Sequence, residues 1–226
     1  MTKEESLLRL YIDSADPDDW DTYLATGMFY GVTTNPKLLA KTGIKFKIES
    51  MRKLAKTAFG LGAQEIHIQI WGSEPEEMLE VGRELATIDK RVMVKVPIDI
   101  TGILLANQLI SEGANVTLTA LHFAQQVLIA ISQGATYAAP YLGRMTESGL
   151  DGLSEVTTMG NIITEMNSPL RLLVASIRSS EDLVTLASRG LNTFTLLPPI
   201  IHDVMENELT RMAVEAFDSA VKQVGD

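Results

Sequence analysis

Lys95 is the residue in this sequence whose surroundings point most directly to covalent chemistry. It lies inside a short apolar run, VMVKVP at residues 92–97, whose β-branched residues and terminal proline are typical of a buried strand. Side chains alternate along a strand, so Lys95 shares a face with Met93 while the valines share the other. Two interpretations stay open. Lys95 is either a strand-end lysine whose ammonium group reaches solvent, or a desolvated amine that attacks a carbonyl and forms a Schiff base.

Polar residues also recur toward the ends of the other apolar segments, on one face of each. Alternation pairs Tyr11 with Asp13, Thr33 with Asn35, His67 with Gln69, Thr117 with Thr119, Ala139 with Tyr141, and Ser176 with Arg178. A buried polar group without a partner costs about 2–7 kcal/mol. We therefore expect these groups, which together with Lys95 come from seven of the eight predicted strands, to share one hydrogen-bonded site.

The elements that must position these residues are strands and helices in strict alternation. Strands are predicted at 8–13, 31–36, 65–71, 92–97, 115–120, 136–142, 171–177 and 192–197. Helices are predicted between them, one with a capping box formed by Ser73 and Glu76, and a long last helix covers about 203–221. A glycine-rich loop is predicted at 143–152. Strand–helix alternation indicates a parallel α/β sheet, and eight units in 226 residues fit a compact (β/α)8 TIM barrel. A doubly wound open sheet is the alternative.

Composition excludes several classes of protein. With 226 residues, 46% hydrophobic and 21% charged, the chain fits one ordinary globular domain over residues 1–226. It has no cysteine, which excludes disulfides and thiolate chemistry. The net charge of −10 argues against a nucleic-acid partner. The sequence shows no signal-peptide core and no apolar run of the ~20 residues that span a membrane. We expect a cytoplasmic protein without a membrane partner.

Other catalytic motifs find no support. The three histidines, His67, His122 and His202, lack metal-ligand spacing, so we expect no metal. His67 is interpreted as a core residue. The sequence contains neither a phosphate-binding P-loop nor the G-x-S-x-G motif of serine hydrolases, and we expect no cofactor.

Four motifs together resemble the transaldolase family. They are YIDSAD at 11–16, GVTTNP at 31–36, VKVP at 94–97 and APYLGR at 139–144, in the order and spacing of the short single-domain branch that includes fructose-6-phosphate aldolase. The resemblance runs from about Leu10 to the last helix. It implies a (β/α)8 barrel, a sugar phosphate as small-molecule substrate, no metal, and transfer or aldol addition of a dihydroxyacetone unit. It also implies a ring-like homo-oligomer, a pentamer or decamer, that uses the C-terminal helix.

Carried over position by position, the resemblance assigns roles to single residues. Lys95 falls on the family's Schiff-base lysine and Asp13 on its first-strand acid, which transfers protons. Gln69 and Thr119 match positions near the catalytic water, and Tyr141 matches the tyrosine of the aldolases. The implied substrate-binding residues are Thr33 and Asn35 for sugar hydroxyls, and Arg144, Ser176 and Arg178 for the phosphate.

Some positions depart from the transaldolase pattern. Thr117 stands where transaldolases usually carry asparagine, and Ala139 where they usually carry serine. Ala139, Gln69 and Tyr141 together favour aldolase, whereas Arg178 is more typical of transaldolases. We therefore expect a class I aldolase that acts on a ketose phosphate such as fructose 6-phosphate, with a true transaldolase as the alternative. A non-covalent sugar-phosphate isomerase or a phosphosugar-binding protein is the more remote alternative.

Overall fold

The computed structural model of the chain describes residues 8–224, in which parallel strands alternate with helices. The strands are β1 (Arg9–Asp13), β2 (Phe29–Thr33), β3 (Glu65–Gln69), β4 (Val92–Pro97), β5 (Val116–Leu121), β6 (Tyr137–Pro140), β7 (Arg171–Leu172) and β8 (Thr193–Leu196). The helices are α1 (Pro17–Leu24), α2 (Pro36–Thr42), α3 (Ile48–Gly60), α4 (Pro75–Ala86), α5 (Ile100–Ser111), α6 (Gln126–Gln133), α7 (Leu142–Glu147), α8 (Gly152–Glu165), α9 (Ser180–Ser188), α10 (Pro198–Met205) and α11 (Glu208–Val224).

The sheet closes into a barrel. Its hydrogen-bonded order is β7-β6-β5-β4-β3-β2-β1-β8, so neighbours in sequence are neighbours in space. The two ends meet where Val174 bridges to Phe194, with the Val174 N–H donating to the Thr193 carbonyl at 2.9 Å. The predicted (β/α)8 barrel is confirmed. The doubly wound open sheet is wrong, because β7 and β8 would then be free edges.

The two faces of the barrel wall carry the side chains that alternation predicts. Ile66, Ile68 and Val94 belong to one large apolar cluster that extends into the surrounding helices. A separate, smaller cluster lies on the inner face and includes Tyr11 and Met93. Both faces of a parallel barrel are buried, so polar residues on the inner face must find partners there or line a cavity.

The capping box predicted at Ser73 is displaced by one residue. Helix α4 begins at Pro75, and Glu74 is its N-cap without a side-chain cap bond. The Ser73 N–H donates to Glu77 Oε2 at 2.9 Å, so Glu77 reaches back to it and the predicted partner, Glu76, does not. Proline accounts for the shift, because its fixed φ and missing N–H suit the first helical position.

The long last helix is present but starts later than predicted. Glu206 is extended and ends α10, and the Asn207 side chain accepts hydrogen bonds from the N–H groups of Leu209 and Thr210 at 2.9 and 3.3 Å. This cap begins α11, so the helix predicted from Asp203 is two helices. All residues from 202 to 223 are exposed. In residues 8–224 no helix, α11 included, combines the length and hydropathy needed to cross a membrane.

Gly102 lets helix α5 begin against the end of β4, the strand that carries Lys95. Its N–H donates to Asp99 Oδ1 at 2.7 Å, and a Cβ at this position would overlap the carbonyl oxygen of Pro97. We expect Gly102→Ala to lower the free energy of unfolding by about 1–3 kcal/mol, the usual cost of overpacking, in urea titrations followed by circular dichroism. Gly60→Ala is the control, because a Cβ there meets nothing within 4 Å and alanine favours helix. Equal losses in the two variants would contradict this account.

Candidate active site

Lys95 lies on the inner face of the barrel, away from solvent. Only 4% of the residue is exposed, and Nζ donates a hydrogen bond to the backbone carbonyl of Thr34 at 3.0 Å. The strand register sets Gln69 of β3 and Thr117 of β5 beside it. Of the two interpretations left open by the sequence, the solvent-reaching lysine is therefore wrong. The amine is desolvated.

Asp13, at the end of β1, is positioned by a chain of two threonine hydroxyl groups. Thr33 Oγ1 donates to Asp13 Oδ1 at 2.8 Å and also bonds to Thr195 Oγ1 at 2.6 Å. Burial raises the pKa of the Asp13 carboxyl, and the opposing effects of Lys95, Thr33 and Arg178 offset only part of that rise. The carboxyl therefore binds a proton more readily than a free aspartate does, as a proton-transfer group near neutral pH must.

Tyr141 brings a hydroxyl group to the opposite part of the site. It follows β6 and is the N-cap residue of α7. Thr119 Oγ1, at the end of β5, donates to the Tyr141 hydroxyl at 3.1 Å, and the His122 ring meets the tyrosine edge-on with 5.9 Å between the ring centroids. Tyr141 and Gln69 are both half-buried. The hydroxyl is thus fixed by one hydrogen bond and one ring contact.

Two arginines form a cationic cluster with one carboxylate. Arg178 donates to Glu147 Oε1 from Nε at 3.1 Å and from Nη2 at 2.9 Å, and Arg144 Nη1 lies 3.5 Å from Glu147 Oε2. A shared carboxylate couples the positions of the two guanidinium groups. The cluster keeps one net positive charge, and donors of both arginines remain for an anion.

Arg144 lies in a helix where the sequence predicted a glycine-rich loop. Gly143, in the first turn of α7, donates its N–H to the Ser176 carbonyl at 2.8 Å. A Cβ on Gly143 would lie 2.5 Å from that oxygen and 2.8 Å from Arg178 Cγ, so the close approach requires glycine. Ser176 has a left-handed backbone with φ of 60°, and its Oγ has no hydrogen-bond partner in the described part of the chain.

These groups surround a cavity of about 590 Å³ at the C-terminal ends of the strands. Nine of the ten predicted site residues line it: Asp13, Asn35, Gln69, Lys95, Thr119, Tyr141, Arg144, Ser176 and Arg178. Thr33 is the exception, because it is fully buried beneath Asp13. Asn35 has a second task, since its Oδ1 caps α2 by accepting from the Lys37 and Leu38 N–H groups.

Sequence reasoning missed several residues of the site. Lys37 and Lys41 line the cavity. Their place in the sequence could have indicated this, because they lie in the helix that directly follows the polar end of β2. Glu147 is three residues from Arg144, a spacing at which side chains meet on a helix. Thr195 follows Thr193 by two residues in β8, so the eighth strand also directs polar groups inward. Polar groups therefore point into the barrel from all eight strands, one more than the seven that the sequence predicted.

A second polar cluster lies in the barrel beneath the site, where no site was predicted. The hydroxyls of Tyr11 and Tyr137 each donate to Glu65 Oε2 at 2.7 Å. Arg9 Nη1 donates to Glu65 Oε1 at 3.3 Å and to the Tyr137 hydroxyl at 2.6 Å. Burial alone raises the pKa of Glu65, but the adjacent His67 ring and the hydrogen bonds from both tyrosines outweigh it and lower that pKa to about 2.

His67 joins this lower cluster to the layer of Lys95. It is fully buried, as predicted for a core residue, and its Nδ1 lies 2.9 Å from Thr117 Oγ1. Its Nε2 is 3.6 Å from Glu65 Oε2. Burial lowers the pKa of His67, and the positive charge of Lys95 lowers it further against the opposing effect of Glu65. A neutral ring with the proton on Nε2 fits these contacts, because Nδ1 then accepts from Thr117.

A closed parallel barrel with a buried lysine, a carboxyl group and a cationic cluster at the C-terminal ends of its strands belongs to the barrel enzymes. The family model described as "Transaldolase/Fructose-6-phosphate aldolase" matches residues 10–225. The chain belongs to this family and is an enzyme of the transaldolase and aldolase type. The resemblance stated from the four motifs is confirmed.

Named relatives agree with the family. A "Probable transaldolase" of Hyphomonas neptunium is 32% identical over 218 residues, covering 96% of this chain and 99% of the relative. One of Syntrophobacter fumaroxidans is 31% identical over 210 residues, covering 93% and 95%. Among solved structures, the thiamine phosphate pyrophosphorylase of Pyrococcus furiosus has a TM-score of 0.60 at 14% identity, covering 96% of this chain and 97% of that one. That likeness shows the fold alone.

The lowered pKa of Glu65 predicts how stability depends on pH. A carboxyl whose pKa is lower in the folded than in the unfolded protein stabilises the fold above the unfolded value, near 4.5, and loses this contribution as pH falls toward 2. We expect the free energy of unfolding of the wild type to fall by about 3 kcal/mol more than that of Glu65→Gln between pH 5 and pH 2. Urea titrations at graded pH measure this difference. Parallel pH profiles for the two proteins would show that the Glu65 carboxyl is not stabilised in its charged form.

Proposed function

We propose that this enzyme is a class I aldolase that cleaves a ketose phosphate such as fructose 6-phosphate through a Schiff base on Lys95. The observation that carries the proposal is the desolvated Lys95 amine in a cavity that also holds the Asp13 carboxyl and the Arg144–Arg178 pair. A buried amine beside a carboxyl group can attack a carbonyl, and a guanidinium pair suits a phosphate dianion. Residues 1–226 act as one catalytic domain, and the cytoplasmic location stays a prediction.

The first half of the mechanism forms the iminium ion that later accepts the electron pair of the broken bond. Neutral Lys95 Nζ attacks the ketose C2 carbonyl, and the carbinolamine loses its hydroxyl as water with a proton supplied by Asp13, leaving an iminium ion. The raised pKa of Asp13, caused by burial, supports this role, because it favours the protonated carboxyl that donates the proton. Thr33 positions the carboxyl through its hydrogen bond, which favours a supporting role over the contact with sugar hydroxyls predicted from the family.

The second half breaks the carbon–carbon bond. The C3–C4 electron pair flows into the iminium ion and gives an enamine, while the C4 hydroxyl gives its proton to the Asp13 carboxylate left by the first half, and C4 leaves as the aldehyde of an aldose phosphate. Protonation at C3, through Tyr141 or a water held by Gln69 and Thr119, regenerates the iminium ion. Hydrolysis then releases dihydroxyacetone and free Lys95. The hydrogen bond from Thr119 to the Tyr141 hydroxyl supports this assignment, because it fixes the group that carries the proton.

The same enamine allows a true transaldolase, which is the second candidate. If an aldose phosphate captures the enamine at C3 before a proton does, the dihydroxyacetone unit is transferred and no free dihydroxyacetone forms. Gln69 and Tyr141 favour protonation, whereas the relatives named as probable transaldolases favour transfer. A non-covalent isomerase remains the distant alternative, since Asp13 and Tyr141 alone suffice for proton transfer.

Borohydride trapping tests the Schiff base. We expect reduction in the presence of fructose 6-phosphate to attach a dihydroxyacetone-sized adduct to Lys95, located by peptide mass spectrometry. Lys95→Met should lose the adduct and reduce cleavage by about 10³-fold or more, as removal of a covalent nucleophile does. Lys90→Met, at an exposed lysine ahead of the same strand, is the control and should keep both. Wild-type cleavage by Lys95→Met would overturn the assignment.

Addition of erythrose 4-phosphate to the same reaction separates the two outcomes. An aldolase continues to release dihydroxyacetone, whereas a transaldolase yields a seven-carbon ketose phosphate and releases little free dihydroxyacetone.

We also propose that the chain forms a homo-oligomer, a pentamer or decamer, through α11. The support is an exposed apolar face on this helix, formed by Leu209, Met212, Phe217 and Val221, of which Leu209 is 76% exposed. Apolar side chains at this spacing share one side of a helix and are typical of a buried contact. Sedimentation velocity should show a mass at least five times that of one chain, and Leu209→Lys with Phe217→Lys should shift it toward the monomer. A monomeric wild type at all concentrations would contradict the proposal.

A further inference from the structure

The imidazole ring of His122 lines the cavity but has no part in the mechanism above. The residue is half-buried, and its ring lies edge-on against Tyr141 with 5.9 Å between the ring centroids. Its backbone N–H is hydrogen-bonded, but within residues 8–224 neither ring nitrogen has a hydrogen-bond partner. A neutral imidazole carries one donor and one acceptor. The cavity wall therefore presents hydrogen-bonding groups that no described residue uses.

A β-bulge turns His122 toward the cavity. Simple alternation would place Leu121 on the inner face after Thr119 and His122 on the outer face. Instead, the register of β5 with β6 shifts between Thr119 and Leu121, and the intervening Ala120 has a left-handed backbone with φ of 65°. Leu121 consequently joins the large apolar cluster that extends into the helices, while His122 lines the cavity. Bulges re-aim side chains beside active sites, and residues other than glycine rarely adopt this conformation.

The segment that follows the bulge is fixed by side chains from two helices. Gln126 Oε1 of α6 accepts hydrogen bonds from the N–H groups of His122 and Phe123 at 2.7 and 3.0 Å. Glu155 Oε2 of α8 accepts one from the Ala124 N–H at 2.6 Å. The ring of His122 is thus pre-organised, and a ligand that contacts it loses little free energy in ordering the protein.

The ring lies between the reactive amine and the cationic cluster. In the sequential order of strands, Lys95 is on β4, His122 follows β5, and the arginines of the cluster follow β6 and β7. Thr119 pairs with Pro97, two residues after Lys95, and donates to the hydroxyl of Tyr141 at 3.1 Å. A ketose phosphate with C2 at Lys95 and its phosphate at the arginines therefore passes His122 with the carbons between these two groups.

We propose that His122 is a specificity-determining residue that binds the C5 hydroxyl of the ketose phosphate. This inference rests on the proposed function, because it takes the substrate C2 to be at Lys95. In that mechanism the C4 hydroxyl gives its proton to Asp13 and the phosphate binds the cationic cluster, which leaves the C5 hydroxyl for the imidazole. Cleavage makes C4 the aldehyde carbon, so the C5 hydroxyl becomes the one beside the aldehyde. The enzyme therefore selects aldehydes that carry a hydroxyl group on the neighbouring carbon.

Binding of unreactive sugar alcohols tests this contact without the Lys95 chemistry. Glucitol 6-phosphate and 5-deoxyglucitol 6-phosphate have no carbonyl group, so neither can form a Schiff base, and they differ only in the C5 hydroxyl. By isothermal titration calorimetry we expect the wild type to bind glucitol 6-phosphate about tenfold more tightly, as one hydrogen bond allows. Equal affinity for the two compounds would overturn the inference.

Substitutions locate the preference. His122→Phe keeps an aromatic ring against Tyr141 but removes the ring nitrogens, and it should reduce the preference to less than about twofold by weakening only the binding of glucitol 6-phosphate. His202→Phe is the matched control, because it changes an exposed histidine that does not line the cavity, and it should keep the preference. Equal weakening of both compounds in His122→Phe would show that the ring only supports Tyr141 and would overturn the inference, as would loss of the preference in both variants.

The binding and trapping experiments fail independently. A preference for the C5 hydroxyl that depends on His122, without any adduct on Lys95, would leave the contact in place and contradict the proposed function. An adduct with fructose 6-phosphate without the preference would do the reverse.

Discussion

A lysine side chain inside a closed barrel has lost most of its hydration, and the interior of this protein supplies polar groups that contact its amine. The Thr34 carbonyl accepts a hydrogen bond from Lys95 Nζ, and the Asp13 carboxyl group lies within electrostatic range. Asp13 is held in turn by Thr33, which is held by Thr195. Each step satisfies a polar group that burial would otherwise penalise. The same desolvation that costs stability is what makes an amine nucleophilic.

Beneath this layer, a second layer of polar side chains fills the barrel interior in place of an aliphatic one. Glu65 accepts from two tyrosine hydroxyls and from Arg9, so its charge is satisfied inside the protein. His67 and Thr117 connect this cluster to the strand neighbours of Lys95. The two layers differ in access. The upper opens into the cavity, while the lower is hydrogen-bonded within itself and keeps the Arg9 and Glu65 side chains only 16% and 13% exposed.

Charge is distributed unevenly in this molecule, and the helices that follow the strands create the difference. The chain is acidic overall, yet the cavity carries Lys37, Lys41, Lys95, Arg144 and Arg178. Lys37 and Lys41 come from α2, and Arg144 comes from α7, whose first turn approaches the Ser176 carbonyl closely because Gly143 has no Cβ. Small anions are attracted to such a cavity in spite of the net charge of the protein.

The sequence by itself determined the alternation of strands and helices and the face on which each polar residue lies, because side-chain period and strand ends are local properties, and nine of the ten site residues it predicted line the cavity. It could not determine closure, which depends on a bridge between Val174 and Phe194, or the bond from Glu147 to Arg178, 31 residues away. Alternation places Thr33 on the inner face but does not reveal its hydrogen bond to Asp13, and Thr33 does not line the cavity. Those features follow from contacts between residues distant in the chain, and only the tertiary structure decided them.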